Sequence, residues 1–231
     1  MKKYIQLFVL AFFFTGCLSM PEQIDEKYLV EKSESETALI KNIEQKIIVK
    51  NKEKQIIEKK LKEVSPAPGR TEDELKLLKK ENSLLKDQVD FYTKTKDAVN
   101  LESRKAALSE NEKTIEKKTL NYNFQKAEKE MIEAELDLKS LELDVEVAKL
   151  NYEKSRIATA YRDKHEEPVD DNSGNFFTRL INKLKKKDPD DRYGYKKHEE
   201  YLKKLQKELE KAEKKYIESD KKFQDAKNKL Q

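Results

Sequence analysis

The strongest hydrophobic pattern of the chain lies between residues 124 and 152. Apolar or aromatic side chains recur there at unbroken alternating spacings of three and four, at Phe124, Ala127, Met131, Ala134, Leu138, Leu141, Val145, Ala148 and Tyr152. This spacing is typical of a coiled-coil seam. A second apolar set lies roughly 100° to 200° around the same helix, at about 100° per residue: Ile132, Leu136, Leu143, Val147, Leu150 and Ile157. With two apolar faces, the helix should pack between helices on both sides, either in an intrachain bundle or in an oligomer.

Weaker helical patterns flank this segment. Residues 36–64 place apolar side chains on a seam whose centre is polar, at Lys50 and Lys54. The sequence Thr71 to Glu74 has the form of a capping box and predicts the start of a long helix at residues 71–161. That helix is either continuous or broken near 93–100 or 119–123, where weak helix formers lie.

Glycine and proline divide the chain into segments. Beyond Pro21 they occur only at residues 66–69 and 168–194, and they are the strongest helix breakers. The predicted organisation is a linker at 65–70, a polar linker at 162–197 and a last helix at 198–231. The fold prediction is all-α: an elongated coiled coil, antiparallel helical hairpin or bundle with a flexible N-terminal tether. Its central hairpin pairs residues 124–161 with residues 198–230.

The first residues form a processing signal. Lys2 and Lys3 precede an apolar stretch that is too short to span a bilayer. It ends in Phe14, Thr15, Gly16 and Cys17, which resembles the lipobox of bacterial lipoproteins in the relaxed form found in spirochaetes. The resemblance implies a signal peptide at 1–16, recognition of residues 14–16 by the signal peptidase, and a covalent lipid on Cys17. Residues 17–35 then read as the lipidated cysteine followed by a tether.

Composition argues against most other classes of protein. Charged residues make up 42% of the chain, with 50 Lys and Arg against 46 Asp and Glu, and the two signs alternate along it. That mixture is typical of solvated helix faces, and a nucleic-acid protein would need a basic surplus on one face. Phosphate-binding glycine loops, cysteine clusters and catalytic triads are absent from the sequence. We therefore expect no enzyme activity, no small-molecule substrate and no cofactor besides the lipid.

Two further features are candidate sites. The motif Lys-His-Glu-Glu occurs twice, around His165 and around His198, and two imidazoles with carboxylates would suit a transition metal. The reading we favour is that both motifs are solvated helix ends and that no metal binds. The second feature is a short basic amphipathic segment that would lie on a membrane, dock on a partner or fold back over the hairpin: Phe176, Phe177, Arg179, Leu180, Lys183, Leu184, Lys185, Lys186 and Lys187.

The segment from Ala127 to Arg156 is similar to the helical repeats of TolC-type outer-membrane efflux proteins and the hairpins of their periplasmic adaptors. That resemblance implies a helical hairpin in the periplasm. The favoured function is a membrane-anchored scaffold or adaptor of the bacterial envelope, which associates with itself or with another helical envelope protein. A surface adhesin and an efflux component are the alternatives. Leu18 follows the cysteine where retention in the enterobacterial inner membrane would require Asp, so the resemblance favours the outer membrane.

Overall fold

A computed structural model describes residues 24, 29, 31–165 and 194–231 of the chain. These residues form four α-helices: α1 (Glu34–Val64), α2 (Pro66–Thr95), α3 (Ala98–His165) and α4 (Tyr195–Leu230). They contain no β-strand, which confirms the all-α prediction for the described part. The predicted lipobox with Cys17 and the basic segment at 176–187 lie outside the described residues.

Helix α1 begins with a capping box that the sequence analysis did not single out. The backbone N–H of Ser33 donates to Glu36 Oε2 at 2.9 Å, and the backbone N–H of Glu36 donates to Ser33 Oγ at 3.2 Å. This reciprocal pair satisfies two backbone donors at the helix start. The tether assigned to residues 17–35 is wrong at Leu29, which is 3% exposed and packs with Ile40 and Ile157. Burying this apolar side chain stabilises a packed position for Leu29, although its neighbours in the sequence are polar.

The predicted linker at 65–70 and the predicted capping box at Thr71 are both wrong. Helix α2 begins at Pro66, since proline suits the first helical turn, where its missing N–H is not needed. Ser65 keeps right-handed helical angles and donates its N–H to the carbonyl of Leu61 at 2.9 Å. Thr71 thus lies inside a helix, where its hydroxyl is buried and cannot serve as a cap.

The chain reverses between α2 and α3 at two residues. Lys96 adopts the left-handed conformation with φ 57°, and the N–H groups of Lys96 and Asp97 donate to the carbonyls of Thr93 and Tyr92. This pattern is a Schellman motif. Asp97 then caps α3, because its Oδ1 accepts the N–H of Asn100 at 3.2 Å. The break lies within the proposed 93–100 region, while residues 119–123 are inside the continuous α3.

The described chain divides into two compact units. In the first, residues 34–49 of α1, the end of α3 and the start of α4 pack together around Leu29, Ile40, Ile157 and Leu150. Arg156 of α3 lies 3.6 Å from Glu36 of α1, and Tyr152 of α3 stacks on Tyr195 of α4. This part of α3 therefore contacts a helix on each side, as its two apolar faces predict.

The second unit contains residues 50–142 and 209–231. Here α3 packs antiparallel to α4, since Phe124 stacks near Phe223 with ring centroids 5.4 Å apart and Asp137 accepts from Lys215 at 2.6 Å. It also packs antiparallel to α1 and α2. The predicted hairpin and bundle are thus confirmed. On the second apolar face of α3, Ile132 and Ile157 are buried, and the four apolar residues between them are half-buried.

Candidate interaction face

Polar side chains link α2 to α3 at three positions of α3 that are seven residues apart. The carboxamide of Asn82 donates to Asn111 Oδ1 at 3.2 Å, and both side chains are buried. Lys118 Nζ donates to Glu74, and the Thr71 hydroxyl donates to Gln125 Oε1 at 2.7 Å. The sequence analysis followed the apolar positions and did not single out these polar ones. Their seven-residue repeat was the available signal, and each polar layer fixes the register of the two helices.

A ring of four charges joins α1 to α3 in the second unit. Lys50 Nζ lies 2.7 Å from Glu142 and 3.1 Å from Glu53, while Lys139 Nζ lies 3.3 Å from Glu53 and 3.1 Å from Glu142. The two lysines lower the pKa of Glu53 through their hydrogen bonds, with Lys50 contributing most. This ring explains why the seam of α1 is polar at its centre: Lys50 is part of the helix contact.

A tyrosine pair and a buried histidine mark the start of α4. The Tyr152 and Tyr195 hydroxyls are 2.8 Å apart, and the hydrogen bond to Tyr195 raises the pKa of Tyr152 to about 12. His198 is 1% exposed, and its ring lies against Gly194, which has φ 68°. The reading of its motif as a solvated helix end is therefore wrong for His198, because the imidazole packs into the first unit.

The two-histidine metal site receives no support from the described residues. His165 is the last residue of α3, and its side chain lies outside the described part. Among the side chains that are described, no group of three His, Cys, Asp or Glu is arranged to hold a metal ion.

A row of exposed apolar residues runs along α2. Leu77, Leu84 and Phe91 are 66%, 63% and 58% exposed, although they are large apolar residues. They are separated by seven residues and therefore share one helix position, whereas Leu75 and Leu85 are buried in the second unit. Each residue turns a helix by about 100°, so the row lies on a different side of α2 from the buried Leu75 and Leu85. We call these three residues the α2 outer row.

Charges of alternating sign flank the α2 outer row. Asp73, Lys80, Asp87 and Lys94 are all exposed and again recur every seven residues, three positions from the row. The other flank carries Glu74, Glu81, Gln88 and Thr95. An apolar row with charged flanks is the arrangement by which helices recognise one another. The sequence analysis did not find this face, because it followed only the apolar positions on the seam toward α3.

Comparison with known proteins gives no relative: the chain matches no family model, no curated protein and no solved structure. In the described part of the chain, none of the helices combines the length and apolar character needed to cross a membrane.

Proposed function

We propose that the protein is a lipid-anchored helical scaffold or adaptor of the bacterial envelope, attached through Cys17 and contacting its partners through the α2 outer row. The row is the observation on which the proposal depends. Exposed apolar residues occur singly on most proteins, but a repeat at one helical position flanked by charges is typical of a helix contact.

The packing inside the bundle supports this choice of face. Helices of the same chain bury the seam residues of α3, including Met131, Ala134 and Val145. These residues are therefore not available for contact with another copy. Self-association through the two faces of α3 would require the bundle to open. The α2 outer row needs no such change, since it is exposed in the folded bundle.

The proposed anchor follows from the sequence at Phe14 to Cys17. A single acyl chain gives only marginal membrane attachment, so stable anchoring would come from the multiple chains of a mature lipoprotein or from a second contact. The basic segment at 176–187 is the candidate for that second contact. The outer membrane is the proposed location.

The anchor is tested by growing cells that express the full chain with an alkyne-labelled palmitate. The wild type should incorporate the label into the membrane fraction. Cys17→Ala should lose the label and retain the mass of the uncut precursor, while the matched control Ser19→Ala should behave as wild type. Label on the Cys17→Ala chain, or none on the wild type, would contradict the proposed anchor.

Protease treatment of intact cells separates the scaffold from the alternative adhesin. A periplasmic scaffold should resist the protease until the outer membrane is permeabilised. Digestion on intact cells would favour the adhesin, which must be exposed at the surface.

A further inference from the structure

We infer that the partner of the α2 outer row is a second copy of the same chain, packed antiparallel with Leu84 of the two copies meeting at the two-fold axis. The inference rests on the proposed role of this row as a contact face and names its partner. It is drawn from the order of the charges beside the row.

In an antiparallel helix pair, each flank of the contact faces the same flank of the partner helix. With Leu84 at the axis, Leu77 of one copy meets Phe91 of the other. Lys80 then faces Asp87, and Asp73 faces Lys94, each pair occurring twice because a two-fold interface is self-complementary. Every charge on this flank is matched by an opposite charge.

A parallel pair lacks this match. There the two flanks of the row face each other, so Lys80 would lie near Glu81, but Asp73 would lie near Glu74. Glu74 is already bonded to Lys118 of α3, so this repulsion is reduced. The parallel pair still has only the Lys80–Glu81 attraction, whereas the antiparallel pair has two different attractions on its flank. The alternating charges therefore favour the antiparallel dimer. They also argue against a uniformly acidic or basic partner, which would be repelled by half of the flank.

The Asp73–Lys94 pair, farther from the two-fold axis, is weaker than the Lys80–Asp87 pair. The reason is that Asp73 already lies 3.2 Å from Lys76 of its own helix. Lys80 and Asp87 are consequently the residues to test. Three large apolar residues per copy make a small contact of the transient kind. Confinement of lipid-anchored copies to one membrane raises their effective concentration and compensates for this small area.

The experiment is cysteine cross-linking of the full chain in cells with a short bis-maleimide. Leu84→Cys should give a cross-linked homodimer. When two differently tagged copies are co-expressed, Leu77→Cys in one and Phe91→Cys in the other should cross-link to each other more than either does to itself. All three positions are exposed, so the substitutions should leave the fold unchanged, which circular dichroism of the purified chain checks.

Charge exchange in the Leu84→Cys background tests the register. Lys80→Asp should lower the yield of cross-linked dimer about fivefold to tenfold, because both inner pairs become Asp against Asp. The exchanged chain with Lys80→Asp and Asp87→Lys should regain the original yield, since each pair again has opposite charges. Lys79→Asp, a reversal at a neighbouring exposed position, is the matched control and should change the yield little.

Three outcomes overturn the inference: no cross-link at Leu84→Cys, self-links at Leu77→Cys in preference to links with Phe91→Cys, or no recovery in the exchanged chain. The wild type tests the anchor separately, since Cys17 is its only cysteine. A cross-linked wild type would mean that the thiol is free and would contradict the proposed lipidation. The cysteine series is then repeated with Cys17→Ser, so that any cross-link comes from the introduced cysteines. The loss of cross-linking with Lys80→Asp and its recovery in the exchanged chain compare chains with the same state of Cys17, so they test the contact separately from the anchor.

Discussion

The carboxamides of Asn82 and Asn111 meet between α2 and α3, with Asn82 Nδ2 donating to Asn111 Oδ1 at 3.2 Å. Both residues are buried, so truncating one leaves the other amide without this bond and without solvent. We expect Asn82→Ala to lower the free energy of unfolding by about 1–3 kcal/mol. Urea unfolding followed by circular dichroism measures the change, with the exposed Ser83→Ala as the control.

Replacing both asparagines gives a second, opposite expectation. Leucine at 82 and 111 removes both polar groups together, so the free energy of unfolding should be close to that of the wild type or higher. The double variant should instead specify the register between α2 and α3 less strictly, since a buried polar layer fixes how two helices align. A double variant less stable than Asn82→Ala would show that the hydrogen bond between the two asparagines stabilises the fold by more than it costs to bury their amide groups.

The Tyr152 and Tyr195 pair predicts a change in stability at alkaline pH. The pKa of Tyr152 is raised to about 12 by its hydrogen bond to Tyr195, so the folded state favours the neutral phenol. The stabilisation is therefore fully present below the ordinary tyrosine pKa of about 10. It is lost as the pH rises from there through about 12. Tyr195→Phe should return the pKa of Tyr152 toward its ordinary value, as measured by tyrosinate absorbance.

The matched variant for this titration is Tyr122→Phe, which lies in α3 far along the sequence from the pair. It should leave the high-pH transition assigned to Tyr152 in place. If Tyr195→Phe and Tyr122→Phe give the same titration curve, the hydrogen bond does not set the pKa of Tyr152.

The sequence allowed the helices and the α3–α4 hairpin to be predicted, because the spacing of three and four from Phe124 to Tyr152 is unbroken. The start of α2 was missed because Pro66 and Gly69 were weighed as breakers, although proline is tolerated in a first turn. The burial of His198 depends on tertiary packing that local charge does not reveal. The α2 outer row could not be predicted from the sequence, because the prediction requires knowing which face of α2 packs against α3.

The small residues on the seam of α3 predict a packing limit. Ala148 is 1% exposed, so leucine at this position has no space without displacing neighbouring side chains. We expect Ala148→Leu to lower the free energy of unfolding by about 1–3 kcal/mol. Ala106→Leu, on an exposed position of the same helix, should be within about 0.5 kcal/mol of the wild type. Equal effects of the two substitutions would contradict close packing at Ala148.

The ring formed by Lys50, Glu53, Lys139 and Glu142 predicts a small contribution that depends on pH and salt. The lysines lower the pKa of Glu53, so its contribution is present above the ordinary glutamate pKa and is lost as the pH falls through the lowered value. Glu53→Gln should cost at most about 1 kcal/mol at neutral pH, because the ring is partly solvated. The difference from the wild type should shrink in acid and at about 1 M salt, where charges are screened. The exposed Glu63→Gln is the control, and a cost for Glu53→Gln that persists in acid would mean that packing, rather than charge, joins α1 to α3 here.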